Sequence, residues 1–242
     1  MNEITTTQKF ELAAADVDFK EVIESISEEM DGLGTIGFTK VNVPNGGVTE
    51  FEVDGEDVKE LVGVIVARVN ENVYFDAPFG QGDGRPACSS ADGITGYDRC
   101  GTAIPCKTCA MNQWGENGKP CTNKVNLYLL QSGELMPIQL VLPPSSIKYL
   151  RDYVGKKLLS KGLRPANVVT RITLEKVKGN FTYSAANFEM VEKLQGAEKE
   201  SMRAYADAFA EYVKEQAAAY VPAPAESDGE VLDVAYEDLP FC

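Results

Sequence analysis

The sequence predicts a mainly β protein with added helices, and three observations carry that expectation. Strand signals recur at Leu61 to Val69, which is rich in β-branched residues, at Val125 to Leu130, at Met136 to Leu142 and in the alternation of Val168 to Val177. Turn chemistry separates several of them, as at Asn45-Gly46-Gly47 and Gln131-Ser132-Gly133-Glu134. Helical spacing is confined to the two ends of the chain and to one segment that follows Pro143-Pro144-Ser145-Ser146.

In order, residues 1–34 read as an acidic N-terminal helical segment, where Phe19, Val22, Ile23 and Ile26 place a helix near 17–30. Thr35 to Val43 reads as a strand, and Val48 to Val53 alternates with Phe51 and Val53 on one face. Leu61 to Val69 is a buried strand that Val73 to Phe75 extends. Residues 80–124, dense in Gly, Asp, Asn and Pro, are too polar for a core and too long for a loop without internal support. Two strands follow, Val125 to Leu130 and Met136 to Leu142. A helix then runs from about Ile147 to Leu159, with Gly162 as its stop. Val168 to Val177 alternates as a long strand. Residues 186–220 form an Ala-rich helix without proline, and residues 221–242 read as a disordered acidic tail.

Residues 35–185 therefore form the body, with the insertion at 80–124 inside it. Strands, an insertion, more strands, a helix and a last strand suit a small Greek-key barrel of the oligonucleotide-binding type. Other small barrels and a sandwich share the pattern. The apolar fraction of 44% supplies a core, and no apolar run approaches the roughly 18 residues that span a bilayer. The start, Met1-Asn2-Glu3-Ile4, lacks the pattern of a secretory signal, so a cytoplasmic protein is expected.

Net charge is −14, which argues against nucleic-acid binding until it is divided by region. Residues 140–180 hold nine bases and two acids, whereas residues 1–60 hold fifteen acids and four bases. Residues 222–242 hold six acids and no base. One basic segment is thus set between acidic ones.

Five of the six cysteines lie between Cys88 and Cys121, and the sixth is Cys242. In a reducing compartment such clustering points to metal rather than to disulfides. Cys106-Lys107-Thr108-Cys109 is a Cys-x-x-Cys knuckle, whose turn directs two thiolates toward one tetrahedral ion. Cys88 and Cys121 supply a second pair, with Cys100 a fifth candidate. The chain has no histidine, so a Cys₄ site for structural Zn²⁺ is the expectation. Cysteines packed as small apolar groups, or a redox Cys-x-x-Cys, are the competing readings.

Single-strand binding needs bases for phosphate and flat side chains for stacking. Lys148, Arg151, Lys156, Lys157, Arg171 and Lys176 are the candidate bases, joined in the basic segment by Lys161, Arg164 and Lys178. Trp114, Tyr128 and Phe75 are the candidate stacking residues, drawn from a wider set that includes Phe181 and Tyr183. A solvated helix face, and core packing of most aromatics, are the plainer alternatives. The chain has no phosphate-binding Gly-Lys-Ser/Thr loop, no Gly-x-Ser-x-Gly and no histidine base, so no enzymatic activity is expected.

The chain ends Tyr236-Glu237-Asp238-Leu239-Pro240-Phe241-Cys242. Acids followed by Leu-Pro-Phe at a C-terminus resemble the tip of bacterial single-stranded DNA-binding proteins. That resemblance implies that Glu237, Asp238, Leu239, Pro240 and Phe241 dock to replication or recombination proteins. Cys242 departs from the pattern, because it displaces the terminal carboxylate from the Phe. A broader resemblance spans roughly residues 60–185. It rests on Cys88 to Gly93, Cys106 to Cys109, Asn112 to Gly115, Cys121, Leu140 to Ser146 and the strand Val168 to Glu175. This stretch is similar to phage and prophage proteins of the single-stranded DNA-binding type. It implies an oligonucleotide-binding barrel with a zinc-bearing, ribbon-like insertion, a role in protecting single-stranded DNA during phage replication or recombination, and a bacterial host cytoplasm. A zinc-stabilised protein–protein adaptor without DNA binding, and a thiol-dependent enzyme, are the alternatives.

Overall fold

The computed structural model describes residues 10–13, 19–29, 37–78, 80–81, 84–116, 118–179 and 181–221. In chain order the elements are α1 (Phe19–Glu29), β1 (Lys40–Asn42), β2 (Phe51–Val53), β3 (Glu56–Val58), β4 (Glu60–Tyr74), β5 (Cys88–Ser90), β6 (Thr95–Asp98), β7 (Ala103–Pro105), β8 (Thr122–Leu130), β9 (Ile138–Leu142), α2 (Pro144–Asp152), β10 (Val168–Lys178), β11 (Thr182–Lys193) and α3 (Gly196–Ala219). The chain divides into two compact units, residues 1–69 with 124–214 and residues 70–123 with 215–242.

The first unit is built on a mixed sheet in the order β1-β9-β8-β4-β10-β11. Neighbours are antiparallel from β9 to β8, from β4 to β10 and from β10 to β11, whereas β1 lies parallel to β9. The runs of Val, Ile and Leu form these strands because their side chains pack on a pleated surface with buried neighbours. Val64, Leu127, Leu129, Leu140, Leu142, Val168 and Ile172 are all fully buried. Among the described residues no closed barrel is found. The outer edge of β9 is taken by β1 and not by β11, so the sheet stays open where a barrel would close.

The expected helix near 17–30 corresponds to α1, and the strand expected at 35–43 is formed over Lys40–Asn42. One expected element changes type. Residues 186–193, expected to begin the last helix, complete β11. Ala186 and Phe188 lie on one face of that strand and enter the core. Strand β10 offers them a continuous partner, with Ile172 opposite Phe188 and Leu174 opposite Ala186. Tertiary pairing therefore overrides helix propensity here, and α3 starts only at Gly196.

Helix α2 begins with Pro144 at its first turn and continues into a π turn, Tyr153–Leu158. A short 3₁₀ turn follows and stops at Gly162, which adopts the left-handed conformation with φ 70°. Two contacts fix α2 to the sheet. The Ser146 hydroxyl oxygen accepts the Ala186 N–H at 3.0 Å. Tyr153 stacks on Phe188, and its hydroxyl meets that of Thr170 at 2.8 Å inside the core. Burial pushes the Tyr153 phenol up, and the Thr170 bond opposes that rise. Tyr153→Ala should therefore cost about 3–5 kcal/mol, as for other large aromatic truncations. Tyr153→Phe should cost less, about 1–3 kcal/mol, because it leaves the buried Thr170 hydroxyl without its partner. Urea denaturation of the two variants measures both.

Phe19 of α1 meets Tyr205, Phe209 and Tyr212 of α3 edge-on. Phe38 and Tyr128 complete the cluster around Phe209. The acidic N-terminal helix and the Ala-rich helix thus pack as one aromatic layer on the sheet.

The second unit continues β4 into an antiparallel series, with β5, β6 and β7 following in order. Cys88 pairs with Asp98 and Gly96 with Ile104. Among its described residues between 70 and 123, the buried apolar side chains are Val73, Cys106 and Cys121. A stretch of about 50 residues with so small a core is not stabilised by burial alone.

Candidate metal centre and nucleic-acid interface

The four predicted ligands converge. Cys88 on β5, Cys106 and Cys109 on the turn after β7, and Cys121 at the entry to β8 line one cavity of about 170 Å³. Asn72, Tyr74, Ser90, Asp98, Ile104 and Asn112 contribute to the same wall. Each cysteine is held by backbone bonds. The Cys106 N–H donates to Ile94 O at 2.8 Å, the Cys109 N–H to Pro105 O at 3.1 Å and the Cys121 N–H to Met111 O at 2.8 Å. All four thiols are free, and Cys100, the fifth candidate, does not line this cavity.

Gly96 makes the convergence possible. A Cβ at this position would stand 2.8 Å from Cys88 Sγ and 3.6 Å from Cys106 Sγ, so two sulfurs occupy the space a side chain would need. The four thiols do not form a ready-made coordination sphere. Among the described residues, no group of three or more His, Cys, Asp or Glu side chains is gathered to hold a metal ion.

The electrostatics follow from this crowding. Burial pushes the Cys88 thiol up, and the charges of Cys106, Cys109, Cys121 and Asp98 add to it, to about 11. Burial likewise raises Cys121, reinforced by Cys106, while Lys119 and the Val73 N–H work the other way. Backbone N–H donors, Thr102 first and Cys100 also, hold the Asp98 carboxyl below its usual range. Burial would raise Asp92, yet bonds from the Ile94 and Thr95 N–H groups and the Ser90 hydroxyl outweigh it, and its carboxyl also lies low.

A pH dependence follows for metal-free protein. The unfolded thiol loses its proton near 9.0 and the folded Cys88 thiol near about 11. Between those values the folded state binds more protons, so stability falls as pH rises. Urea midpoints of chelator-treated protein should drop between about pH 8 and about pH 10.5, and Cys88→Ser should reduce that drop. With Zn²⁺ bound the sign below pH 9.0 is opposite, because protons compete with the metal for sulfur.

The nucleic-acid candidates separate into groups. Lys148, Arg151, Lys156, Lys157 and Lys176 are exposed. Lys148 stands 4.7 Å over the Tyr149 ring, Lys156 pairs with Asp152 at 3.2 Å, and Lys157 donates to Phe188 O at 3.3 Å. Arg171 lies between Glu60 at 3.0 Å and Glu189 at 3.5 Å, so its charge is already neutralised on the sheet. Tyr128 is a correction: it is 8% exposed and packs against Phe38 and Phe209, and a ring so placed cannot stack on a base. Phe75 is 49% exposed and Trp114 82%. Trp114 precedes a tight turn closed by reciprocal bonds between Gly115 and Gly118.

Phe181 belongs to the wider aromatic set read from the sequence. It is 83% exposed at the tip of the β10–β11 hairpin, beside Lys178 and Lys176. The signal was a lone Phe between a basic strand end and a polar turn, where no core position follows from the alternation. The tip residues Glu237, Asp238, Leu239, Pro240 and Phe241 lie outside the described residues.

Compared with protein-family models, with curated proteins and with solved structures, the chain finds no match.

Proposed function

We propose that the chain is a single-stranded DNA-binding protein whose residues 70–123 are organised by a Cys₄ zinc ion. The observation that carries the DNA reading is the β10–β11 hairpin tip. Phe181 presents a bare ring to solvent, and Lys176 and Lys178 flank it on the preceding strand. A flat side chain beside phosphate-binding charges is what sequence-independent single-strand binding requires.

The connectivity supports the same reading. In the first unit, β4, β8, β9, α2, β10 and β11 follow one another with β4 central and α2 between β9 and β10. Oligonucleotide-binding barrels run five strands in such an order, and they bind through the loops after the first and the fourth strand. Here the loop after β4 holds the cysteines and Trp114, and the loop after β10 holds Phe181. Each of the two loops is an exposed element of its own unit.

Zn²⁺ fits the donor set. Four thiols without histidine favour a soft, tetrahedral ion. A stretch whose buried apolar side chains, among its described residues between 70 and 123, are Val73 and two cysteines needs a staple of this kind. Cys88, Cys106, Cys109 and Cys121 would hold the ion, and its contribution would be folding free energy rather than catalysis. Recruitment of replication or recombination proteins through residues 237–241, in a bacterial host cytoplasm, belongs to the same proposal.

Fluorescence anisotropy with labelled oligo-dT tests the DNA reading. The adaptor alternative predicts no rise in anisotropy at any salt concentration.

A further inference from the structure

The cysteine-bearing segments of the second unit are joined by a chain of amide side chains. Asn72 on β4 is buried and sits opposite Ser90, two residues after Cys88. Its Nδ2 donates to Gly93 O at 3.3 Å, in the turn that leads to β6. Its Oδ1 accepts from Asn123 Nδ2. Asn123, two residues after Cys121, also donates to Asn112 Oδ1 at 3.1 Å and accepts from Lys119 Nζ. Asn112, three residues after Cys109, donates from Nδ2 to Cys106 O at 2.8 Å.

Asn123 is thus the hub of a bracket that reaches every segment carrying a cysteine. No member supplies a metal ligand, and all lie in a unit with almost no apolar core. Polar chains of this kind are justified when each group is satisfied and the geometry they fix matters. We propose that the Asn72–Asn123–Asn112 chain is the positioning shell of the metal centre, holding the three cysteine segments around one cavity so that a local adjustment of the thiols brings them onto a tetrahedral ion. The inference rests on the zinc reading above. Groups that orient metal ligands from outside change metal affinity by roughly 10–100-fold when removed.

The test is competition for Zn²⁺ between full-length protein and a chromophoric chelator, run for wild type, Asn123→Ala and Asn112→Ala. Co²⁺ spectra at saturating metal and far-UV circular dichroism accompany it. The expected result is wild-type binding of one equivalent, with affinity lowered about 10- to 100-fold in Asn123→Ala and by a smaller factor in Asn112→Ala. At saturating Co²⁺ both variants should still show thiolate charge-transfer bands and native circular dichroism. Unchanged affinity in both variants overturns the positioning role while leaving the zinc reading intact. Loss of fold in both variants even at saturating metal also overturns it, since the chain would then be a general support of the unit. If wild type takes up neither Zn²⁺ nor Co²⁺, the zinc reading itself falls.

Discussion

Purified protein should carry about one equivalent of Zn²⁺, and stripping that ion should lower the stability of residues 70–123, so that in urea they unfold before the rest of the chain. The physical reason is the poverty of that unit's core. Among its described residues between 70 and 123, Val73, Cys106 and Cys121 are the buried apolar side chains, whereas the first unit buries a cluster that includes Val41 and Phe188. Metal-free, the cysteines crowd without a counter-charge, and both burial and mutual repulsion hold Cys88 and Cys121 in the neutral form. A divalent ion reverses every one of those terms. Zinc in small domains supplies apparent binding free energies of about 10–16 kcal/mol, far above what so few apolar contacts yield. Cys106→Ser should therefore lose most of its zinc by elemental analysis. It should also show an early unfolding step in hydrogen exchange confined to residues 70–123, with α2 and β10 still protected. Full zinc content in Cys106→Ser would show that this knuckle does not hold the ion.

The second large effect concerns Phe181. Because the ring is 83% exposed, Phe181→Ala should leave the melting temperature nearly unchanged. Stacking on one base is worth about 1–3 kcal/mol, so affinity for oligo-dT should fall by a factor of about 5 to 150. Lys176→Gln should act differently. It should weaken binding modestly and reduce the slope of log affinity against log salt by about 0.7, the value for one phosphate contact on a single strand. Trp114→Ala reads the other unit independently. A drop with Phe181→Ala and none with Trp114→Ala would confine base stacking to the hairpin.

Much of the frame was legible because it depends on local chemistry. The β-branched run at Leu61 to Val69 and the alternation at Val168 to Val177 can be satisfied only by strands. Pro143-Pro144-Ser145-Ser146 can only end a strand and start a helix. The cysteine spacing pointed to four particular residues, and the fold brings all four to one cavity.

What was not legible depends on contacts between distant residues. Ala185 and Ala186 look helical until β10 is known to run beside them. Tyr128 alternates like any half-buried strand residue, and its burial comes from Phe38 and from Phe209, 81 positions away. The openness of the sheet follows from β1 taking the edge of β9, a pairing of segments about 100 residues apart. The amide bracket links Asn72 to Asn123 across 51 positions, and asparagine at those places reads locally as nothing more than turn chemistry.

Titration of labelled oligo-dT into the protein at low and moderate salt, beside a duplex of equal length, tests the central claim most directly. Binding to the single strand that weakens steeply with salt, with the duplex bound more weakly throughout, is the predicted result. No binding at low salt, or equal affinity for the two forms, would contradict it.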